Sequence, residues 1–170
     1  ILNSKEVLSF EKLDTFRTLI ERRKKGEPIA YLINKKAFWK NEFFVKKDVL
    51  IPRPDTELLI EKILKIYSKK TQLQILDIGT GSGCILLSLL SERNKDYGTG
   101  IDISKQSINV SKINAKLLNL SNRTKFFHSS VDNFSLGKYD IIVSNPPYIE
   151  LLNLKYLEKD VINFEPKLAL

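Results

Sequence analysis

Residues 74–83 read Gln-Ile-Leu-Asp-Ile-Gly-Thr-Gly-Ser-Gly, and the reading of this stretch decides the fold. Ile75, Leu76 and Ile78 make a short apolar run of the kind shown by a strand buried on both faces. The run breaks into glycines at 79, 81 and 83, and a second apolar run from Cys84 to Leu90 follows at once. Strand, glycine turn and helix form the entry half of an open α/β sheet, whose ligands sit beyond the carboxyl ends of the strands. A side chain in the turn would obstruct the approach of a ligand to backbone, which is why glycine recurs there. The amides at the start of the helix from Cys84 are then expected to face the pocket, favouring a carboxylate or phosphate by ~0.3–1 kcal/mol.

Working outward, Lys95 to Asp102 reads as the next strand, with Asp102 at its end, 25 positions after Asp77. A carboxylate placed there accepts hydrogen bonds from both hydroxyls of a ribose. The glycines leave one residue between the second and third, where a dinucleotide site wants two. After Asp102, Ser104 is a cap for a helix with apolar residues at 110, 113, 117 and 120, and Thr124 to His128 makes a third short strand. His128, the sole histidine, reads as a structural residue at a strand end, and no group of residues has the spacing of a metal site.

Upstream, Ser9 caps a helix running to about Lys25, with Leu13, Phe16 and Ile20 on one face and a basic last turn that suits the helix dipole. From Ile29 to Ile51 the period becomes two, and residues 37–45 read as a hairpin turning through Lys40, Asn41 and Glu42. Asn34 is a candidate for a left-handed position. Pro52 and Pro54 then fix an extended lead-in to a helix striped by Leu59, Ile63, Ile66 and Tyr67, which reads either as a domain boundary or as a support holding Arg53 and Thr56 near a ligand. The division expected is residues 1–28 as the end of a helical unit, 29–53 as a hairpin linker, and 54–170 as the α/β domain.

A second chemical signal lies at Ile141-Ile142-Val143-Ser144-Asn145-Pro146-Pro147-Tyr148. The apolar triplet reads as a fourth buried strand, ending on the same sheet edge as the glycine loop and Asp102. Two prolines lock the backbone, so the Asn145 side-chain oxygen and the Pro146 carbonyl become fixed acceptors, with Pro147 and Tyr148 following. A planar –NH2 group offers two donors to such a pair, while Tyr148 packs over the attached π system. Acceptors on both N–H bonds favour the positive charge that grows on nitrogen as it attacks an electrophile. A group without two donors would leave buried acceptors unpaired, at about 1–3 kcal/mol each. Glutamine, adenine, cytosine and guanine all carry planar amino groups, and this chemistry does not choose among them.

The 170 residues have the composition of a globular protein with one good core, no apolar run long enough for a membrane span, and a single cysteine, Cys84. The single thiol excludes an intrachain disulfide and fits a reducing, cytoplasmic setting. The net charge of +8 leans toward the N-terminal part, which leaves direct nucleic-acid binding open without requiring it.

Asp77 to Gly83 resembles the first motif of the S-adenosylmethionine-dependent methyltransferases. The whole chain from about Phe10 is similar to one family among them, the protein-(glutamine-N5) methyltransferases that modify peptide chain release factors. The more specific parts are Arg23 with Gly26 to Leu32, the Phe38 to Val45 hairpin, Ile51-Pro52-Arg53-Pro54-Asp55-Thr56-Glu57, Asn145 to Ile149, and Phe164 to Leu170. The resemblance implies a Rossmann-like sheet and an S-adenosyl-L-methionine site at Gly79, Thr80, Gly81, Ser82, Gly83, Asp102, Val131 and Asn145. It implies that Asn145, Pro146, Pro147 and Tyr148 hold the substrate glutamine amide, with Asn145, Pro146 and Tyr148 the catalytic set. Where the family often has an acidic residue and an aromatic beside the adenine, this chain has Ser130 and Val131, and Asp132 is a candidate replacement. The family also implies a longer helical unit before Ser9 and three strands after Leu170, so the chain reads as a partial copy. An amino-methyltransferase acting on adenine or guanine, and a remnant that binds cofactor without turnover, are the alternative readings.

Overall fold

The structure is a computed structural model and describes residues 9–149 and 156–170; the first eight residues of the expected helical unit lie outside them. Helix α1 spans Phe10–Lys24, and the Ser9 hydroxyl accepts from the Lys12 amide as its cap. None of its side chains is buried, so Phe16 and Ile20 present an apolar stripe that the rest of the described chain leaves uncovered. A one-turn helix α2, Ile29–Leu32, follows where the sequence suggested extended backbone. It brings in Tyr31, whose hydroxyl donates to the Val49 carbonyl at 2.6 Å.

Strands β1 (Lys35–Phe38) and β2 (Asn41–Phe44) form the hairpin, with Phe38 opposite Asn41. The turn is therefore Trp39-Lys40 rather than Lys40 to Glu42, and Trp39 takes a left-handed φ of 54°. Its amide donates to Glu57 and its indole N–H to Glu92, which hold that conformation, while its half-buried ring packs against the core as expected. Asn34 is left-handed as expected, with φ 54°. Phe38 and Phe43 meet edge to face and, with Val45, belong to the same core as the α/β sheet, so the hairpin is packed into the domain rather than strung before it.

A single 3-10 turn at Pro54–Thr56 leads into α3, Glu57–Ile66. Its buried stripe is Ile60 and Ile63, flanked by Leu59, Leu64 and Tyr67, which turns Ile66 to solvent at 71% exposed. Then come β3 (Gln74–Ile78), α4 (Cys84–Glu92), β4 (Tyr97–Asp102), α5 (Lys105–Leu117), β5 (Thr124–His128), β6 (Ile141–Ser144) and α6 (Lys159–Phe164). The four strands after α3 are parallel in the order β5-β4-β3-β6. This is the half of a doubly wound sheet that puts the ends of β3, β4 and β6 side by side.

Burial on both faces accounts for the continuous apolar run of β3, while α4 buries Leu86, Leu87, Leu89 and Leu90 against it. The hydroxyl of Ser104 caps α5 through the Ser107 amide. On α5 the buried residues are Ser107, Ile108, Val110, Ser111, Asn114 and Ala115, whereas Ile113 and Leu117 are exposed. The helix runs too close to the glycine turn for long side chains: a Cβ placed on Gly83 would lie 3.2 Å from that of Ser111. Strand β6 pairs only with β3 among the described residues, and alternates, with Ile142 63% exposed, so it is an edge strand buried on one face rather than two. No helix among the described residues is long and apolar enough to cross a membrane.

Candidate functional site

The glycine turn is held almost entirely by its own neighbours. The amides of Gly79 and Thr80 both donate to the Ile101 carbonyl at 2.9 and 3.0 Å, which ties the turn to the end of β4. The Gly81 amide donates to Oδ2 of Asp102 at 2.9 Å, and Oδ1 of Asp102 accepts from the Ser104 amide at 2.8 Å. Gly83 donates to the Thr80 carbonyl at 2.7 Å and caps α4 in a left-handed conformation. Among the described residues the Ser82 N–H has no protein partner, which leaves it as the donor of this turn open to a ligand. Gly79 has φ +72° and a Cβ there would meet nothing within 4 Å, so the space beside the turn is open.

Below the turn, Asp77 is fully buried near the carboxyl end of β3. The Thr80 hydroxyl donates to its Oδ2 at 2.7 Å, while Oδ1 has no hydrogen-bond partner among the described residues. Burial pushes the Asp77 carboxyl up to about 7; the Thr80 hydroxyl pulls it down and the nearby Asp102 charge raises it further. Gly100 makes room for this arrangement, because a Cβ there would lie 2.9 Å from the Thr80 hydroxyl oxygen and closer still to Phe126. Burial likewise pushes the Cys84 thiol up to about 12, so it sits protonated at the start of α4.

A cavity of about 330 Å³ opens above the turn. That is within the ~300–1,000 Å³ usual for small-molecule sites. It is lined by Gly79, Thr80, Gly81, Ser82 and Asp102, by Ser130 and Val131 after β5, and by Asn145, Pro146 and Pro147 after β6. The sheet thus brings together most of the residues singled out in the sequence. Gly83 stands outside the lining, behind the turn and against Leu87 and Ser111. Asp132 is also outside it, whereas Ser130 and Val131, the latter 54% exposed, line it. Tyr148 does not reach this cavity. It is 79% exposed and lines a second groove of about 750 Å³. Cavity and groove share Leu50, Arg53, Thr56, Ser144, Asn145, Pro146 and Ala169, so Asn145 and Pro146 stand at the seam between them. The Ser144 hydroxyl fixes that end of β6 by donating to the Ile78 carbonyl at 2.9 Å.

Asp48, Val49, Leu50 and Pro52 form a wall of the cavity that sequence reasoning missed, although the two prolines that stiffen it were visible. Also missed was Glu165, which is buried and accepts from the Ile51 amide at 3.1 Å and from Nη2 of Arg53 at 2.5 Å. This pair clamps the proline-rich lead-in to the closing segment and fixes Arg53 at the seam. Cys84 and Ile85, at the start of α4, line the cavity as well.

The model of the methyltransferase small domain family matches residues 53–162, which contain the glycine turn, Asp102 and the seam. The chain belongs to that family. Residues 1–33 match the model of the PrmC N-terminal domain. Release factor glutamine methyltransferase of Buchnera aphidicola subsp. Baizongia pistaciae is 44% identical over 167 residues, 96% of this chain and 58% of that protein. The protein of the same name from Caulobacter vibrioides is 40% identical over 96% of this chain and 57% of its own length. That from Buchnera aphidicola subsp. Schizaphis graminum is 45% identical over the whole chain and 61% of its own. The chain therefore spans about three-fifths of the length of these curated relatives. Among solved structures, an RNA methyltransferase from Salinibacter ruber in complex with S-adenosyl-L-homocysteine superposes with a TM-score of 0.50 at 17% identity. The match covers 62% of this chain and 65% of that one, and establishes the methyltransferase fold alone.

Proposed function

We propose that this chain is an S-adenosylmethionine-dependent methyltransferase acting on the side-chain amide of glutamine in the Gly-Gly-Gln loop of peptide chain release factors. The observation that carries the proposal is the seam, where Asn145 and Pro146 line both the glycine-turn cavity and an open groove. The 40–45% identity to proteins named release factor glutamine methyltransferase supports the choice of glutamine over a nucleobase.

The cavity's own chemistry suits the cofactor. Both oxygens of Asp102 accept one backbone amide, and a carboxylate has about four lone-pair sites, which leaves capacity for two ribose hydroxyls. Gly79 gives open space against backbone, the Ser82 N–H offers a donor, and Val131 with Ile103 supplies apolar surface for a purine. Bound there, S-adenosylmethionine would supply an electrophilic methyl group on a sulfonium. Gly79 to Ser82, Asp102 and Val131 are the residues that hold it, and Gly83 acts by shaping the turn.

On the other side of the seam, the Asn145 side-chain oxygen and the Pro146 carbonyl accept the two N–H bonds of the glutamine amide and orient its nitrogen toward the cavity. An amide nitrogen is a weak nucleophile because its lone pair is delocalised. These two acceptors stabilise the positive charge that nitrogen gains as the new N–C bond forms. Pro147 keeps the pair rigid, and the proton leaves to water once the methyl group is in place. Tyr148, on the groove side, packs against the polypeptide flanking the glutamine. Arg53, held by Glu165, borders both spaces and separates the cofactor's tail from the incoming chain.

Incubating the chain with methyl-labelled S-adenosylmethionine and a release factor, followed by peptide mass spectrometry, tests this. Label on the Gly-Gly-Gln glutamine, abolished by Asn145→Ala, is the expected result. Unlabelled factor with labelled RNA or DNA refutes it.

A further inference from the structure

Asn114, in α5, joins two parts of the molecule that the proposed reaction leaves unconnected: the hairpin and the glycine turn. Its side chain is fully buried and makes three hydrogen bonds. Oδ1 accepts from the Phe44 amide at 2.7 Å, and Nδ2 donates to the Phe44 carbonyl at 3.0 Å. Phe44 lies opposite Lys35 in the hairpin ladder, and its N–H and C=O both turn away from β1 toward this side chain. The Asn114 amide thus copies the hydrogen bonds of a neighbouring strand. Its remaining N–H donates to the Ser82 carbonyl at 2.8 Å, which uses both of its donors.

That last bond acts on the turn. The Ser82–Gly83 peptide is planar, so gripping both of its polar ends fixes the plane. Asn114 holds the carbonyl end, and the Thr80 carbonyl holds the Gly83 N–H. On the other side of Ser82, the Gly81 amide is held by Asp102. The Ser82 N–H, the donor without a protein partner, lies between these two gripped peptides. Its orientation is inherited from both.

We infer that Asn114 is a positioning residue for the cofactor turn: it sets the Ser82–Gly83 peptide so that the Ser82 N–H is preorganised as a donor to the bound ligand, and it makes the hairpin a brace for that setting. The inference rests on the cofactor reading above. Substituting a residue of the same shape but opposite hydrogen-bonding sense isolates it. Asn114→Asp keeps an acceptor for the Phe44 amide but sets an acceptor against the Ser82 and Phe44 carbonyls. Asn114→Ala removes all three bonds.

The test measures three quantities well below each variant's unfolding midpoint: ligand-free amide exchange in residues 79–85, calorimetric affinity for S-adenosylhomocysteine, and the midpoint itself. In both variants exchange in the turn should quicken about tenfold and affinity should weaken about tenfold, equivalent to ~1.4 kcal/mol. In the unsubstituted chain, ligand should slow exchange of the Phe44 amide at the far end of the brace, a reading that needs no variant to fold. A lower midpoint with unchanged turn exchange and affinity would overturn the inference and leave Asn114 a core residue. Faster exchange with unchanged affinity would overturn its role in binding. If the unsubstituted chain bound no ligand, the cofactor reading and the binding half of this inference would fall together, while turn exchange would still decide the hold on Ser82.

Discussion

Replacing the buried carboxyl beneath the glycine turn, Asp77→Asn, should change stability in a way that depends on pH. The folded-state carboxyl is raised from its ordinary 3.8 to about 7, chiefly by burial. The folded form therefore holds its proton more tightly than the unfolded chain, and stability falls as pH rises between these values and levels off above the higher one. At ~1.36 kcal/mol for each tenfold change in acidity, the cost at neutral pH and above is at most about 4 kcal/mol, and near pH 5 it is about 1.6 kcal/mol. Asparagine keeps an oxygen for the Thr80 hydroxyl and carries no charge, so it removes the titrating part of the cost. Urea unfolding of both proteins near pH 5 and near pH 8 gives the comparison. Any constant offset from the amide cancels between the two pH values. The advantage of Asp77→Asn should grow by roughly 2–3 kcal/mol from the lower to the higher pH. An advantage equal at both, within about 0.5 kcal/mol, would show that Asp77 titrates alike in the folded and unfolded chains and refute the reasoning.

Gly79→Ala places a Cβ in open space at a left-handed φ, so it should fold with a strain of about 1–2 kcal/mol and weaken S-adenosylhomocysteine binding about tenfold or more by calorimetry. Glu165→Ala leaves the Ile51 amide unpaired and releases Arg53, which should lower unfolding free energy by about 2 kcal/mol and reduce cofactor affinity as well; unchanged affinity would remove Arg53 from the site. The Cys84 thiol, pushed up from 9.0 to about 12, should alkylate roughly a thousandfold more slowly than an ordinary thiol near pH 8, with an iodoacetamide time course as the check.

The parts of this fold legible in the sequence are those whose cause is local. The glycine turn follows from a doubly buried strand that ends in residues tolerating positive φ, and Ser9 and Ser104 mark the starts of two helices through their own hydroxyls. Asn145 to Pro147 announced the seam because two consecutive prolines admit few backbone shapes. What escaped was set by contacts distant in sequence. Trp39 holds a left-handed conformation that local rules give to glycine or asparagine, because Glu57 and Glu92 engage its two N–H groups. Glu165 reaches Arg53 across 112 positions, and no pattern within either segment names the other. On α5 the apolar spacing pointed to Ile113 and Leu117, but close approach to the turn required the small Ser111 and the polar Asn114. Tyr148, read as packing over the planar group of the substrate, lines the groove and not the glycine-turn cavity.

The most direct test of the account offers the chain several acceptors together, with labelled S-adenosylmethionine: a release factor with its Gly-Gly-Gln glutamine, the same factor with glutamate at that position, and RNA and DNA. The proposed pair of acceptors at the seam calls for a planar amino group, and the similarity to proteins named release factor glutamine methyltransferase favours one carried on a polypeptide. Label should enter the glutamine protein alone. Label in the glutamate protein, or in nucleic acid in preference to the glutamine protein, would contradict it.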